Sequence, residues 1–314
     1  MTDGATPLKV AILGARGIGQ VHARVFQEHG ANVCAVLGTT QHSAEATCAE
    51  LATSLGIHAK PFFQLDRLLA EPLDAVSICT PPTLHFEHLQ AVLDAKLPAF
   101  CEKPLFWEEG ITLPAVVAKL DVVGGHPHRR IFVNTSNAAF IDAVRSLLPA
   151  RPEITRFDFR FWTRGPYRGA PIAVDLMPHA LSLLLRLFGP RAITGYGADW
   201  NETRYACRFN YGDCAVELDL QEGGEPNELS FAVNGREFRR VQEGRGRTYR
   251  VHLLDVETNE KIGVEDPFAT YIARFLGSVR GESASWEGEW TEAAANLRLM
   301  AQVLTAGTEN SPQR

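Results

Sequence analysis

A chain of 314 residues, 45% hydrophobic and 22% charged, is long enough for two domains of ordinary size and has a globular composition, which excludes disordered and collagen-like classes. Thirty-one basic against 37 acidic side chains leave a formal charge of −6, so neither a nucleic-acid partner nor a membrane surface is expected. No run approaches the roughly 18 unbroken apolar residues of a membrane span, and Met1 to Pro7 has no basic region or apolar signal core, which points to the cytoplasm.

From Leu8 to about Leu148, short β-rich runs alternate with helical stretches, the pattern of βαβ units on a parallel sheet. Strands are predicted at Lys9 to Leu13, Asn32 to Leu37, Asp74 to Cys79, Ala99 to Cys101 and Arg130 to Val133. Helices are predicted at Gly17 to His29, ended by Gly30, at Ser43 to Leu55 with Ser43 as N-cap and Gly56 beyond its end, and at Thr83 to Ala95. Right-handed crossovers then give a doubly wound Rossmann sheet, with ligand beyond the carboxyl ends of its strands.

After Arg151 the alternation changes to period two, at Ile154 to Trp162, Arg191 to Trp200, Arg204 to Asn210, Cys214 to Leu220, Leu229 to Val233 and Tyr249 to Leu254, with a further short run after Asn234-Gly235. This is an open, mostly antiparallel sheet, interrupted by a helix from Val174 to Phe188 and followed by helices at Pro267 to Val279 and Thr291 to Leu304. The fold class is therefore α/β followed by α+β: a dinucleotide-binding domain over 1–135, and a substrate-binding and oligomerisation domain over 136–314 whose last helix packs back on the first. The open sheet needs cover on its second face, which motivates a homodimer or homotetramer formed through it. The polar end, 307–314, is expected to fray. The six cysteines form no C-x-x-C pair and read as reduced, buried small residues.

The run Leu8 to Gly19 is a strand entering a glycine turn, Gly14-Ala15-Arg16-Gly17-Ile18-Gly19, and then a helix, a geometry that aims backbone N–H groups at a pyrophosphate. It departs from G-x-G-x-x-G because Arg16 holds the middle glycine's place. The second strand ends Leu37-Gly38-Thr39-Thr40, with no acid to hold the ribose hydroxyls of NAD; Gly38 leaves room, Thr39 and Thr40 supply hydroxyls, and Arg16 offers a guanidinium. NADP is therefore preferred over NAD. A short-chain dehydrogenase is excluded, since no tyrosine has a lysine four residues on.

Three further segments carry chemistry: Ser77-Ile78-Cys79-Thr80-Pro81-Pro82-Thr83-Leu84-His85, Cys101-Glu102-Lys103-Pro104 and Asp175-Leu176-Met177-Pro178-His179. With the glycine turn and His22 they resemble the glucose-fructose oxidoreductase / inositol dehydrogenase / MocA (Gfo/Idh/MocA) family of nicotinamide-dependent oxidoreductases over nearly the whole chain. The resemblance implies that Lys103 contacts the substrate oxygen and the nicotinamide ribose, that His179 is the general acid/base, and that Asp175 orients substrate or imidazole. It also implies cofactor contacts at Gly14, Arg16, Gly17, Ile18, Gly19, Gly38, Thr39, Thr40, Thr80, Pro81, His85, Glu102 and Lys103. The chemistry agrees: moving a hydride from an alcohol carbon needs a group that takes the hydroxyl proton near neutral pH, which suits His, and a cation for the developing alkoxide, which suits Lys. Lysine is scarce here, six in all, so one at a motif position carries weight. On a helix, Asp175 and His179 share a face.

Where many relatives carry Asn-x-Arg, this chain reads Asn134-Thr135-Ser136-Asn137, which argues against assuming a sugar. The segment from Arg160 to Pro171 precedes the proposed catalytic helix, and its Trp162, Arg164 and Arg168 suit an anionic or ring-shaped substrate. His126-Pro127-His128 lacks further ligands nearby and reads as a loop, so no metal is expected. The function implied is hydride transfer between NAD(P) and a hydroxyl or keto carbon of a small polar metabolite; the alternative is a nucleotide-binding sensor that kept the fold without turnover.

Overall fold

The computed structural model describes residues 6–244, 248–282 and 285–309. The chain divides into two compact units. The first contains the chain up to Ile111, Val117–Asn134 and Ala269–Ala294; the second contains Thr112–Val116, Thr135–Phe268 and the chain from Ala295.

The first unit is built on β1 (Lys9–Leu13), α1 (Ile18–Glu28), β2 (Asn32–Leu37), α2 (Gln41–Leu55), β3 (Lys60–Phe62), α3 (Leu65–Leu69), β4 (Ala75–Ile78), α4 (Pro82–Asp94), β5 (Ala99–Cys101) and β6 (Ile131–Val133), with the helix α5 (Leu113–Gly124) between the last two strands. The strands pair in parallel in the order β3-β2-β1-β4-β5-β6, a doubly wound sheet whose order reverses between β1 and β4. Val10, Ala11, Ile12, Val76 and Ile78 are fully buried, as strands covered on both faces require. Sequence reading omits β3, α3 and α5. β3 is only three residues long and contains a proline, so it carries no period-two signal.

The N-cap of α2 is Thr40, not Ser43. Thr40 Oγ1 accepts from Ser43 N, and Ser43 Oγ accepts from Thr40 N, a reciprocal capping box that uses both residues.

Residues 269–294 also belong to this unit, which moves the expected boundary. Tyr271 and Phe275 of α8 (Pro267–Arg280) and Trp286 of α9 (Trp286–Glu309) pack on Phe26, Phe100 and Phe132, with ring centroids 5.2 to 6.1 Å apart. α9 begins five residues before the predicted Thr291 and continues to Glu309; the rest of the polar end, 310–314, lies outside the described residues.

The second unit contains α6 (Ala139–Val144), β7 (Arg156–Thr163), α7 (Pro171–Phe188), β8 (Ile193–Trp200), β9 (Arg204–Tyr211), β10 (Cys214–Glu222), β11 (Glu228–Val233), β12 (Arg236–Glu243), β13 (Arg250–Asp255) and β14 (Glu260–Val264). Its strands form one sheet, β14-β13-β12-β11-β7-β10-β9-β8, antiparallel throughout except for the parallel pair of β7 and β10. One face carries Phe157, Phe159, Phe161, Phe209 and Leu218, all buried, and α7 packs against β9 and β10. α7 starts at Pro171, three residues earlier than predicted, because proline suits a first helical turn. It is long and apolar enough to cross a membrane, but 67% of it is buried in the protein, as for a core helix.

The opposite face of the sheet is polar and ion-paired. Arg156 pairs with Asp158 and Glu217, Arg160 with Glu228, Arg204 with Asp219 and Arg239 with Glu237, at 2.6 to 3.3 Å. Water can solvate such a face, so the need for cover no longer argues for association through it.

Candidate active site

The glycine turn follows β1 at the point where the strand order reverses. Gly14, at φ +81°, lies so close to the end of β4 that a Cβ there would come within 3.0 Å of the Cys79 carbonyl oxygen. At Gly19 a Cβ would lie 2.1 Å from the Gly14 carbonyl oxygen, so only glycine lets α1 start here. Gly17 is the N-cap of α1, at φ +55°; a Cβ there meets nothing within 4 Å, and no side-chain cap covers the helix start. Gly19 N and Gln20 N donate to the Arg16 and Gly17 carbonyls, and a helix start without a side-chain cap suits a dinucleotide pyrophosphate. Ile18, the first helical residue, is exposed.

Arg16 Nε donates to Thr47 Oγ1 on α2 at 3.2 Å, which holds the guanidinium beside the end of β2, where an NAD-binding acid would otherwise stand. Gly38 is a correction. Its missing Cβ makes room for α2 rather than for a phosphate, since a Cβ would sit 2.8 Å from Ala44 N. Thr39 and Thr40 are exposed at this edge, with Thr40 engaged as the helix cap. Thr80 and Pro81 follow β4 and open α4, and Thr80 Oγ1 hydrogen-bonds His88 Nδ1 at 3.0 Å.

His85 and Glu102 both have protein partners on their side chains. His85 is fully buried, with Nδ1 2.9 Å from the Pro104 carbonyl and Nε2 2.6 Å from the Thr80 carbonyl, so it ties the loop after β4 to the loop after β5. Burial pushes its imidazole down despite those two oxygens. Glu102 is buried and accepts from His22 Nε2 at 2.7 Å, from Asn134 Nδ2 at 2.6 Å and from the backbone N of Lys103 at 3.2 Å. Burial would raise the Glu102 carboxyl, but the His22 hydrogen bond and charge, with help from Lys103 and Asn134, hold it well below the usual carboxylate range. Burial would likewise lower His22; Cys79 and Glu102 outweigh it and raise the imidazole well above its usual value. The result is a buried imidazolium–carboxylate pair that fixes the backbone of Lys103 just beyond β5, with Lys103 itself half-buried. Sequence reading treats His22 as a trailing residue and Asn134 as part of a departure. The signal was their place, one turn into the first helix and one residue past β6, and both reach the same Glu102 oxygen.

In the second unit, Asp175 and His179 lie one turn apart on α7, both half-buried. Asn137 Nδ2 donates to His179 Nδ1 at 3.0 Å, and the Phe161 ring packs edge-on against the imidazole, centroids 5.2 Å apart. Asn137 as the orienting partner of His179 is not legible from sequence. Trp162 follows Phe161 on the strand and so points to the opposite face, where Arg160 stacks on it at 4.8 Å. It therefore does not share the face of Phe161, the ring that packs on His179. Arg164 is ion-paired with Glu225, and Arg168 donates to the carbonyls of Gly165 and Tyr167. The loop carrying them is pinned by the buried Glu222, which accepts from Tyr167 N at 2.7 Å.

A doubly wound sheet with a glycine turn at its switch point defines the first unit as a dinucleotide-binding domain. Residues 8–124 match the model of the oxidoreductase family with an NAD-binding Rossmann fold, so this stretch is similar to the Gfo/Idh/MocA family. An inositol 2-dehydrogenase from Cereibacter sphaeroides is 36% identical over 103 residues, 32% of this chain and 29% of that protein. The UDP-N-acetylglucosamine 3-dehydrogenase of Acidithiobacillus ferrooxidans is 28% identical over 197 residues, 59% of this chain and 56% of its own length. These matches thus span from under a third to just over half of the curated relatives. The solved structure of the latter superposes with a TM-score of 0.73 at 17% identity, covering 96% of this chain and 98% of that one. A 3-ketoreductase from Actinomadura kijaniata, solved with TDP-benzene and NADP, gives 0.70 at 16% identity, covering 96% and 98%. At such identities the structures speak for the fold of the whole chain.

Proposed function

We propose that the protein is an NAD(P)-dependent oxidoreductase that moves a hydride between the nicotinamide and a hydroxyl or keto carbon of a small polar metabolite of sugar or polyol type. The observation that carries this reading is the buried His22–Glu102 pair, which spends two ionised side chains and Asn134 on holding one short segment, Glu102-Lys103-Pro104, in place. A chain that merely kept the fold has no use for so costly an arrangement under a lysine.

The bound nicotinamide supplies the hydride acceptor or donor. Lys103 is the proposed cation that steadies negative charge on the reacting oxygen. His179 is the proposed proton carrier, and Asp175 its helical neighbour. The hydrogen bond from Asn137 puts the neutral imidazole's proton on Nε2, the form that donates to a carbonyl oxygen. Taking a hydroxyl proton calls for the opposite tautomer, with Asn137 Oδ1 accepting from Nδ1–H. A primary amide supplies either partner, so Asn137 suits a proton carrier that works in both directions.

NADP is the preferred cofactor in this reading, supported by the Arg16 guanidinium held on Thr47 and by the absence of an acid from the end of β2. Self-association, where it occurs through the large sheet, meets a polar, ion-paired surface. The test is a fluorescence titration with NADPH and NADH in parallel, followed by turnover of Lys103→Ala. NADPH should bind at least tenfold more tightly than NADH, and Lys103→Ala should lower turnover by about 10²-fold or more with NADPH affinity within a few-fold. No binding of either nucleotide would leave the sensor reading in its place.

A further inference from the structure

Five arginines of the large sheet, Arg156, Arg160, Arg204, Arg236 and Arg239, each face a carboxylate within 4.0 Å. Arg240 on β12 does not. Among the described residues it has no ion pair, and the ring of Phe161 lies 5.4 Å from the guanidinium. Along β12 the side chains alternate, so Arg240 shares a face with the buried Phe238, away from the charged network that takes Arg239. Phe161 is the ring that packs against His179. The Arg240 guanidinium and the His179 imidazole therefore both lie within 5.4 Å of the centre of one phenyl ring.

A guanidinium stays charged at any physiological pH, and withdrawing it from water without a counter-ion is unfavourable. Arg240 is half-buried, and burial pushes its guanidinium below the usual arginine value, opposed only weakly by Tyr249. A cation–π contact with Phe161 offsets part of that cost, but a ring accepts no hydrogen bond from the five N–H groups. The same strand finds carboxylates for Arg236 and Arg239. A cation without a counter-ion among the described residues, against the same ring as the proposed proton carrier, is what a site looks like when its anion arrives with the ligand.

We infer that Arg240 recognises an oxyanion, a carboxylate or a phosphoryl group, on the substrate that His179 serves, which makes the substrate an acidic derivative of a sugar or polyol rather than a neutral one. This rests on the reading of His179 given above. It also replaces Arg164 and Arg168 as the anion contact, since those two are engaged with Glu225 and with backbone carbonyls.

Calorimetric titration of the full chain with glucuronate, glucose 6-phosphate and glucose, with and without NADPH, tests it. One of the two anionic hexoses should bind at least tenfold more tightly than glucose, and which one does so separates a carboxylate site from a phosphoryl site. Arg240→Gln should bring that hexose to within about twofold of glucose while leaving NADPH affinity unchanged, and Arg240→Lys should keep part of the preference. Equal binding of all three sugars, binding of none of them, or a preference that survives Arg240→Gln would overturn the inference. NADPH titration and Lys103→Ala report separately on the hydride-transfer reading, so the two failures are distinguishable.

Discussion

The most consequential side chains in the first unit are ones that never meet a ligand in the proposed mechanism. Glu102 is held ionised while buried chiefly by His22, and the signs of the two shifts set a pH window. The raised His22 value contributes stability that is complete below about pH 6.5, the unfolded value, and is lost as pH rises through the folded one. The lowered Glu102 value contributes stability that is complete above about pH 4.3 and is lost as pH falls. Denaturant midpoints should therefore be highest between about pH 5 and 6.5 and should decline above it by up to about 1.4 kcal/mol per pH unit. Glu102→Gln should cost about 3 kcal/mol at pH 6, because it takes away the carboxylate that faces the buried imidazolium, and should reduce the alkaline decline. A flat profile in the wild type would show that the pair is not ionised. Asn137 offers the corresponding experiment in the second unit. Aspartate in its place only accepts, which holds a proton on His179 Nδ1, so Asn137→Asp should move the acidic limb of the kcat/KM profile to higher pH. An unmoved limb would remove Asn137 from the path of the proton.

At the level of elements, the turn between β1 and α1 shows why glycines that look alike in a motif are not equivalent. Gly19 has no room for a methyl group, which would overlap the Gly14 carbonyl, whereas Gly17 faces open space and needs only its positive φ. Gly17→Ala should cost roughly 1–3 kcal/mol, since φ 55° with ψ −115° is a conformation that suits glycine alone. Gly19→Ala should cost more and should also weaken NADPH binding, since the helix start must shift; melting curves and nucleotide titration of the two variants check both. The order of costs is not readable from G-x-G-x-x-G spacing, because it depends on which backbone crosses above each Cα. The same limit explains what was legible elsewhere. Strands β1, β2 and β9 to β11 emerge from the sequence because burial on one or two faces leaves a run or an alternation. The motif residues fall at strand ends because a doubly wound sheet puts its site there. Side-chain partners do not emerge: nothing in the sequence places His22, eighty residues earlier, on the Glu102 carboxylate. Nor does it tell that Phe161 takes the face toward His179.

For the whole molecule, the chain crosses between its units more than once, and this decides what can be cut. A break at residue 135, where composition changes, removes 269–294 from the unit they help to build. Tyr271, Phe275 and Trp286 cover Phe26, Phe100 and Phe132, which β5, β6 and α1 present from the parallel sheet. Losing one buried aromatic side chain costs about 3–5 kcal/mol, and a typical domain has only about 5–15 kcal/mol in all. A fragment of residues 1–135 should therefore lack a cooperative thermal transition and should not bind NADPH, although it holds every residue of the glycine turn and Lys103. Joining 269–294 to that fragment through a flexible linker should restore both properties in part. Circular dichroism melting and nucleotide titration of the two pieces decide the matter: a 1–135 fragment that melts cooperatively and binds as the full chain does would show that the aromatic cover is dispensable and that the first unit is complete without the late helices.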